Sequence, residues 1–209
     1  MSEDFVVGII MATGLEAAPF IKGLSLRPCE NVPFAVYENH RIRLIISGIG
    51  KANAAMATAY LIIKYHPLGV FNLGAAGATG PDILGECYHI SKVIEPDRPC
   101  LRSDQFHIHI PRQLEDFPTA VLATRDSAVT ELAERSETAA YADLVDMEGA
   151  AVVQTCRRFR TDCYLFKFVS DSSAEDDTVN IRKNIEQYRD VFYTFFQDSV
   201  LPLIRRRDV

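Results

Sequence analysis

Several protein classes leave marks that this 209-residue chain lacks. Its five cysteines, Cys29, Cys87, Cys100, Cys156 and Cys163, contain no C-x-x-C pair, and their odd number and irregular spacing suggest neither a disulfide framework nor a zinc knuckle. Reduced thiols in a cytoplasmic protein are the expectation. Positive charge is not in excess: 22 Lys and Arg against 28 Asp and Glu leave a net charge of −6, which argues against nucleic acid as a partner. No apolar run approaches the length of a membrane span, so no membrane partner is expected. The acidic start, Met1-Ser2-Glu3-Asp4, lacks the basic region of a secretory signal. A Walker A loop and the full dinucleotide fingerprint are missing, and so is the G-x-S-x-G elbow of serine hydrolases. With no repeat and no Gly/Ser-rich linker, one domain over 1–209 is expected.

The remaining composition, 48% hydrophobic and 24% charged, is that of a globular protein with a sizeable core. Phe5 to Met11 is a continuous apolar run, as in a strand covered on both faces. Leu15 to Lys22 reads as a helix. Ala35–Tyr37 and Ile42–Ser47 read as paired strands, and Lys51–His66 as a helix apolar nearly all round. Such a helix must be covered on most sides, and a subunit interface is one way to cover it; this suggests a homodimer. Val70–Leu73, Tyr88–Ile94, Ala120–Thr124 and Tyr164–Val169 read as further strands. Glu148–Phe159 and Ile181–Ile204 read as helices. Alternating strands and helices predict a three-layer α/β/α fold around a mixed, largely parallel sheet. Ligands collect at the carboxyl ends of the strands in such sheets.

Candidate chemistry falls at those ends. Glu16 follows the first strand; it is either a base that activates water or a first-turn acid favoured by the helix dipole. Ser47-Gly48-Ile49-Gly50-Lys51 is a short glycine loop before a helix, a weak anion-binding signal. Gly74-Ala75-Ala76-Gly77 lets a ligand approach the backbone, or only packs tightly. Asp146-Met147-Glu148-Gly149-Ala150 offers carboxylates for sugar hydroxyls and a soft apolar thioether, or is an ordinary acidic helix start. Asp171, in Ser170-Asp171-Ser172-Ser173, is either a proton carrier or a cap. His107-Ile108-His109, with Asp104 nearby, puts two imidazoles on one strand face, but no third metal ligand has convincing spacing.

Taken in order, these segments resemble the purine nucleoside phosphorylase/nucleosidase superfamily, and within it the methylthioadenosine/S-adenosylhomocysteine nucleosidases. Ser47–Lys51 with its alanine-rich helix, Asn72–Gly77, Val145–Ala150 and Val169–Asp171 carry the resemblance, which covers most of the chain. It implies a nucleoside phosphorylase/hydrolase-like fold and a purine nucleoside as ligand, with no metal or organic cofactor. It gives Glu16 the attacking water and Asp171 the proton for purine N7, with Ser170 beside it. Met147 would pack on the ribose and Glu148 grip its hydroxyls. Ala75, Ala76, Gly77, Asp146 and Lys167 would complete the substrate site, Lys167 standing where nucleosidases often place an arginine near the water. Asn72 replaces the arginine of phosphorylases, which favours water over phosphate as nucleophile. Ala75 replaces a common serine, Ala128 stands where a base-stacking aromatic is expected, and the segment from Asp97 to Asp116 is short. The implied activity is hydrolysis of a 5′-modified purine nucleoside of the methylthioadenosine, S-adenosylhomocysteine or futalosine type. Phosphorolysis and nucleoside binding without turnover are the alternatives.

Overall fold

The structure, a computed structural model, describes residues 6–81, 83–98, 105–173 and 180–206. Ten strands form one sheet: β1 (Val7–Met11), β2 (Arg27–Glu30), β3 (Ala35–Glu38), β4 (Ile42–Ile46), β5 (Gly69–Ala78), β6 (Cys87–Glu95), β7 (His107–His109), β8 (Thr119–Thr124), β9 (Leu144–Asp146) and β10 (Asp162–Asp171). Helices are α1 (Gly14–Gly23), α2 (Lys51–Tyr65), α3 (Leu132–Thr138), α4 (Gly149–Phe159), α5 (Ile181–Phe195) and α6 (Leu201–Arg206).

The apolar run of β1 serves both faces. Val7, Ile9 and Met11 join a core with Phe20 of α1 and Phe192 of α5, while Ile10 joins one with Leu61 of α2 and Val152 of α4. The sheet therefore lies between two helical layers, as expected. Gly8 sets how close α2 comes: a Cβ there would lie 2.4 Å from Leu61 Cδ2.

The centre of the sheet, β4-β1-β5-β10, is parallel throughout. Parallel pairing recurs in β6–β8 and β8–β9, and the other pairings among the described residues are antiparallel. The sheet also closes on itself. β10 pairs with both β5 and β6, and β5 with β9, so β5, β10, β6, β8 and β9 form a ring. Length makes this possible, because β5 and β10 each run ten residues and reach a different neighbour at each end.

The C-terminal helix departs from the unbroken Ile181–Ile204 expected. Phe196–Val200 forms a π turn between α5 and α6. Pro202 supplies the reason: it has no N–H to donate and its ring crowds the preceding turn, and a wider turn before it relieves both. β2, β9 and α3 were not foreseen, and the Phe5 end of the first expected strand lies outside the described residues.

Candidate active site

The ends of β1, β5, β9 and β10 meet in a cleft with about 680 Å³ of empty space. Glu16, Ala75, Ala76, Gly77, Asp146, Met147, Glu148, Ser170 and Asp171 all line it. Ala128, Ile181 and Ile185 also line it, the two isoleucines coming from α5.

Glu16 is a first-turn acid of α1, and it also lines the cleft. It closes a capping box on α1, with its own N–H donating to the Thr13 hydroxyl oxygen at 3.3 Å. Its Oε2 accepts from the Thr13 N–H at 3.0 Å and from the Thr13 hydroxyl at 2.6 Å. Its Oε1 crosses to β5 and accepts from the Ala75 N–H at 2.9 Å. The crossing requires Gly74, where a Cβ would stand 2.7 Å from that oxygen. A carboxylate has about four lone-pair sites, so one remains for a water.

Asp171, at the end of β10, is held differently. Oδ1 accepts from the Ser170 hydroxyl at 2.6 Å, and Oδ2 pairs with the Arg135 guanidinium. Gly77 is the matching opening in β5, since a Cβ there would lie 2.7 Å from Asp171 Oδ2. Asp171, which the sequence offers as a proton carrier or a cap, is one half of a buried ion pair. Arg135 escaped sequence reading altogether. It sits in Leu132–Thr138, a short polar stretch without apolar periodicity, and nothing in the chain order ties it to Asp171.

Between these ends stand Met147 and Glu148. The Glu148 Oε1 accepts from the Gly50 N–H at 2.8 Å. The glycine loop thus presents its amide to the protein's own carboxylate, and Gly50 takes φ +103 to do so. Burial pushes the Glu148 carboxyl up to about 7; the Asp146 and Glu16 charges add to this, against Lys167 and the Gly50 amide.

Asp146 lines the wall with its carboxylate engaged by three donors from the protein. It accepts from the Thr124 hydroxyl at 2.6 Å, the Gly149 N–H at 2.9 Å and the Lys167 ammonium at 2.8 Å. Lys167 lies behind that wall, almost fully buried, and does not line the cleft. Burial lowers its pKa, but the Asp146 and Glu148 carboxylates outweigh burial and the net shift is upward. Lys167 holds Asp146 from behind the wall, whereas the resemblance puts it near the water. Asn72 is buried in the sheet, its amide donating to the Ile10 carbonyl at 3.3 Å, and is likewise absent from the lining.

His109 Nε2–H donates to the Glu95 carboxylate at 3.0 Å. Asp104 lies outside the described residues, and no group of three metal-binding side chains occurs among those described.

An α/β domain with two carboxylates brought to one cleft through glycine openings in a shared strand has the architecture of a small-molecule enzyme. The sequence matches the family model described as the phosphorylase superfamily over residues 6–101 and 113–199. A 5′-methylthioadenosine/S-adenosylhomocysteine nucleosidase of Hydrogenovibrio crunogenus is 31% identical over 77% of this chain and 79% of the relative. An aminodeoxyfutalosine nucleosidase of Campylobacter jejuni is 24% identical over 68% of this chain and 72% of its own. The solved structure of the Helicobacter pylori 5′-methylthioadenosine/S-adenosylhomocysteine nucleosidase with butyl-thio-DADMe-Immucillin-A shares the fold, with a TM-score of 0.83 at 17% identity over 93% of this chain and 97% of that one. The chain belongs to the phosphorylase superfamily.

Proposed function

We propose that this chain is a nucleosidase hydrolysing the N-glycosidic bond of a 5′-modified purine nucleoside, of the kind named for its relatives. The observation that carries this reading is the pair Glu16 and Asp171 on one cleft, with Met147 and Glu148 between them. Glu16 orients a water against C1′ and takes up its proton. The C1′–N9 bond breaks and its electron pair leaves with the purine. N7 takes a proton from solvent and, as N7–H, donates to the Asp171 carboxylate, because a purine departs poorly unprotonated; the proton taken up by Glu16 returns to solvent. Positive charge develops on the ribosyl group beside Glu16 and Glu148, the carboxylates of the lining that lack an ion-pair partner in hydrogen-bonding range among the described residues. Met147 packs against the ribose, and ionised Glu148 accepts from its hydroxyls.

Water rather than phosphate is favoured by the wall itself. A phosphate dianion needs cationic donors, and none of the described residues lining the cleft is Arg, Lys or His. Base release by liquid chromatography tests the proposal. The panel is methylthioadenosine, S-adenosylhomocysteine, an aminofutalosine-type nucleoside, adenosine and inosine, each with and without phosphate. Free base and free sugar without phosphate are expected. Release only with phosphate would make the chain a phosphorylase, and binding without release a nucleoside-binding protein.

We also propose a homodimer through α2. Met56 and Ile63 on that helix are more than half exposed, as is Ile49 just before it. A dimeric mass by light scattering at micromolar concentration is expected, and a monomeric one would contradict it. Among the described residues no helix is long and apolar enough to cross a membrane; a cytoplasmic location fits the reduced cysteines expected from the sequence.

A further inference from the structure

Arg135 is buried to 4% exposure yet belongs to no hydrophobic layer and does not touch the cleft. Its guanidinium is used in two directions. Nη2 donates to Asp171 Oδ2, and Nη1 donates to the Ala78 carbonyl at 2.6 Å. Gly77 leaves the space that this arrangement needs, because a Cβ there would lie 2.7 Å from Asp171 Oδ2 and 3.3 Å from Arg135 Nη1. Ser170 takes the other carboxylate oxygen. Asp171 is thereby fixed at both oxygens, by a hydroxyl on its own strand and a cation from α3.

The charges divide in the same way. Arg135 pairs with Asp171 and Lys167 with Asp146, which leaves the carboxylates of Glu16 and Glu148 toward the ribose. A purine that departs with the bonding electrons gathers negative charge. It would meet an uncompensated carboxylate if Asp171 stood alone, and meets a neutral pair when Arg135 is present.

We infer that Arg135 is a positioning residue for the base end: it holds Asp171 in the orientation that meets purine N7 and cancels its charge as the base leaves. This inference rests on the proposed nucleosidase function. It predicts an effect on turnover rather than on binding, because the reacting base feels Arg135 through Asp171 and most strongly when charge has moved onto it.

The test compares the wild-type chain with Arg135→Gln and Arg135→Lys on whichever nucleoside the wild type cleaves. Arg135→Gln should lower kcat by roughly 100-fold, the scale of lost proton-transfer assistance, with KM changed little. Arg135→Lys keeps the charge but cannot fork to both Asp171 and Ala78, so it should recover about tenfold of that loss. A loss confined to KM, or a lysine variant no better than the glutamine one, would overturn the inference. Should Arg135→Gln fail to fold, wild-type kcat in Arg135→Lys would overturn it equally. The crystal structure of the lysine variant reads the positioning independently of activity: the Asp171 carboxylate should turn from its wild-type orientation, and an unmoved one contradicts the inference. Absence of base release by the wild type would defeat the proposed function alone, with the crystal structure still deciding where Arg135 holds Asp171.

Discussion

The two ends of the cleft solve one problem with different materials. Each brings a carboxylate over β5 at a glycine, Glu16 over Gly74 and Asp171 over Gly77. At the Glu16 end every donor is neutral: a threonine hydroxyl and two backbone amides. At the Asp171 end a guanidinium and a serine hydroxyl hold the oxygens. Neutral donors leave the Glu16 charge intact, as suits a group facing water and a cationic sugar. A guanidinium cancels the charge at the end where, under the proposed function, a departing base brings electrons. Similar backbone openings therefore carry one carboxylate held by neutral donors and one paired with a cation.

Removing each carboxylate breaks the comparison most severely. Glu16→Gln and Asp171→Asn should each lower kcat for the nucleoside by roughly 10²–10⁴-fold, measured by base release. Closing the openings comes next. Gly74→Ala should displace Glu16 and leave Asp171 in place, while Gly77→Ala does the reverse. Each should cost about 1–3 kcal/mol in urea unfolding, the usual range for overpacking. Equal stability with full activity in either variant would show that its carboxylate has room to move. Thr13→Ala, which removes both the α1 cap and a Glu16 donor, should cost about 1 kcal/mol in the same assay and lower kcat with it.

The smallest effect is a pH dependence at the middle of the cleft. Glu148 stands at about 7, so its ionised, ribose-accepting form grows as pH rises from 6 to 8. KM should fall over that range by a few-fold and become flat in Glu148→Gln. Stability should move the other way. The folded chain holds this proton up to about 7, whereas the ordinary value is 4.5. The contribution is therefore fully present below about 4.5 and lost as pH rises through about 7. The difference in Tm between wild type and Glu148→Gln over that range checks the sign.

Much of this was legible in the sequence because short segments carried it. The parallel centre shows in the apolar run Phe5–Met11 and the buried strands read at Val70–Leu73 and Tyr164–Val169, and the cleft in the residues just after them. Both glycines of the openings stood in one motif, Gly74–Gly77. What escaped reading was long-range or lacked a pattern. β2 is an exposed edge strand containing Pro28, and β9 is three residues long. Ring closure depends on β10 pairing with both β5 and β6, which no local pattern encodes. The resemblance puts Lys167 near the water; its neighbour Asp146, contributed by β9, decides that it faces inward. Arg135 had no signal, since its partner lies 36 positions away.

The central claim is that the two carboxylates have separate tasks, and leaving-group dependence tests it most directly. Rates would be measured for wild type, Glu16→Gln and Asp171→Asn on the purine nucleoside and on the matching 4-nitrophenyl riboside, whose leaving group departs as a stable anion without a proton. The account predicts that Glu16→Gln loses activity on both substrates, whereas Asp171→Asn loses it on the purine nucleoside and largely keeps it on the nitrophenyl riboside. Equal losses for Asp171→Asn on both would contradict the division of labour.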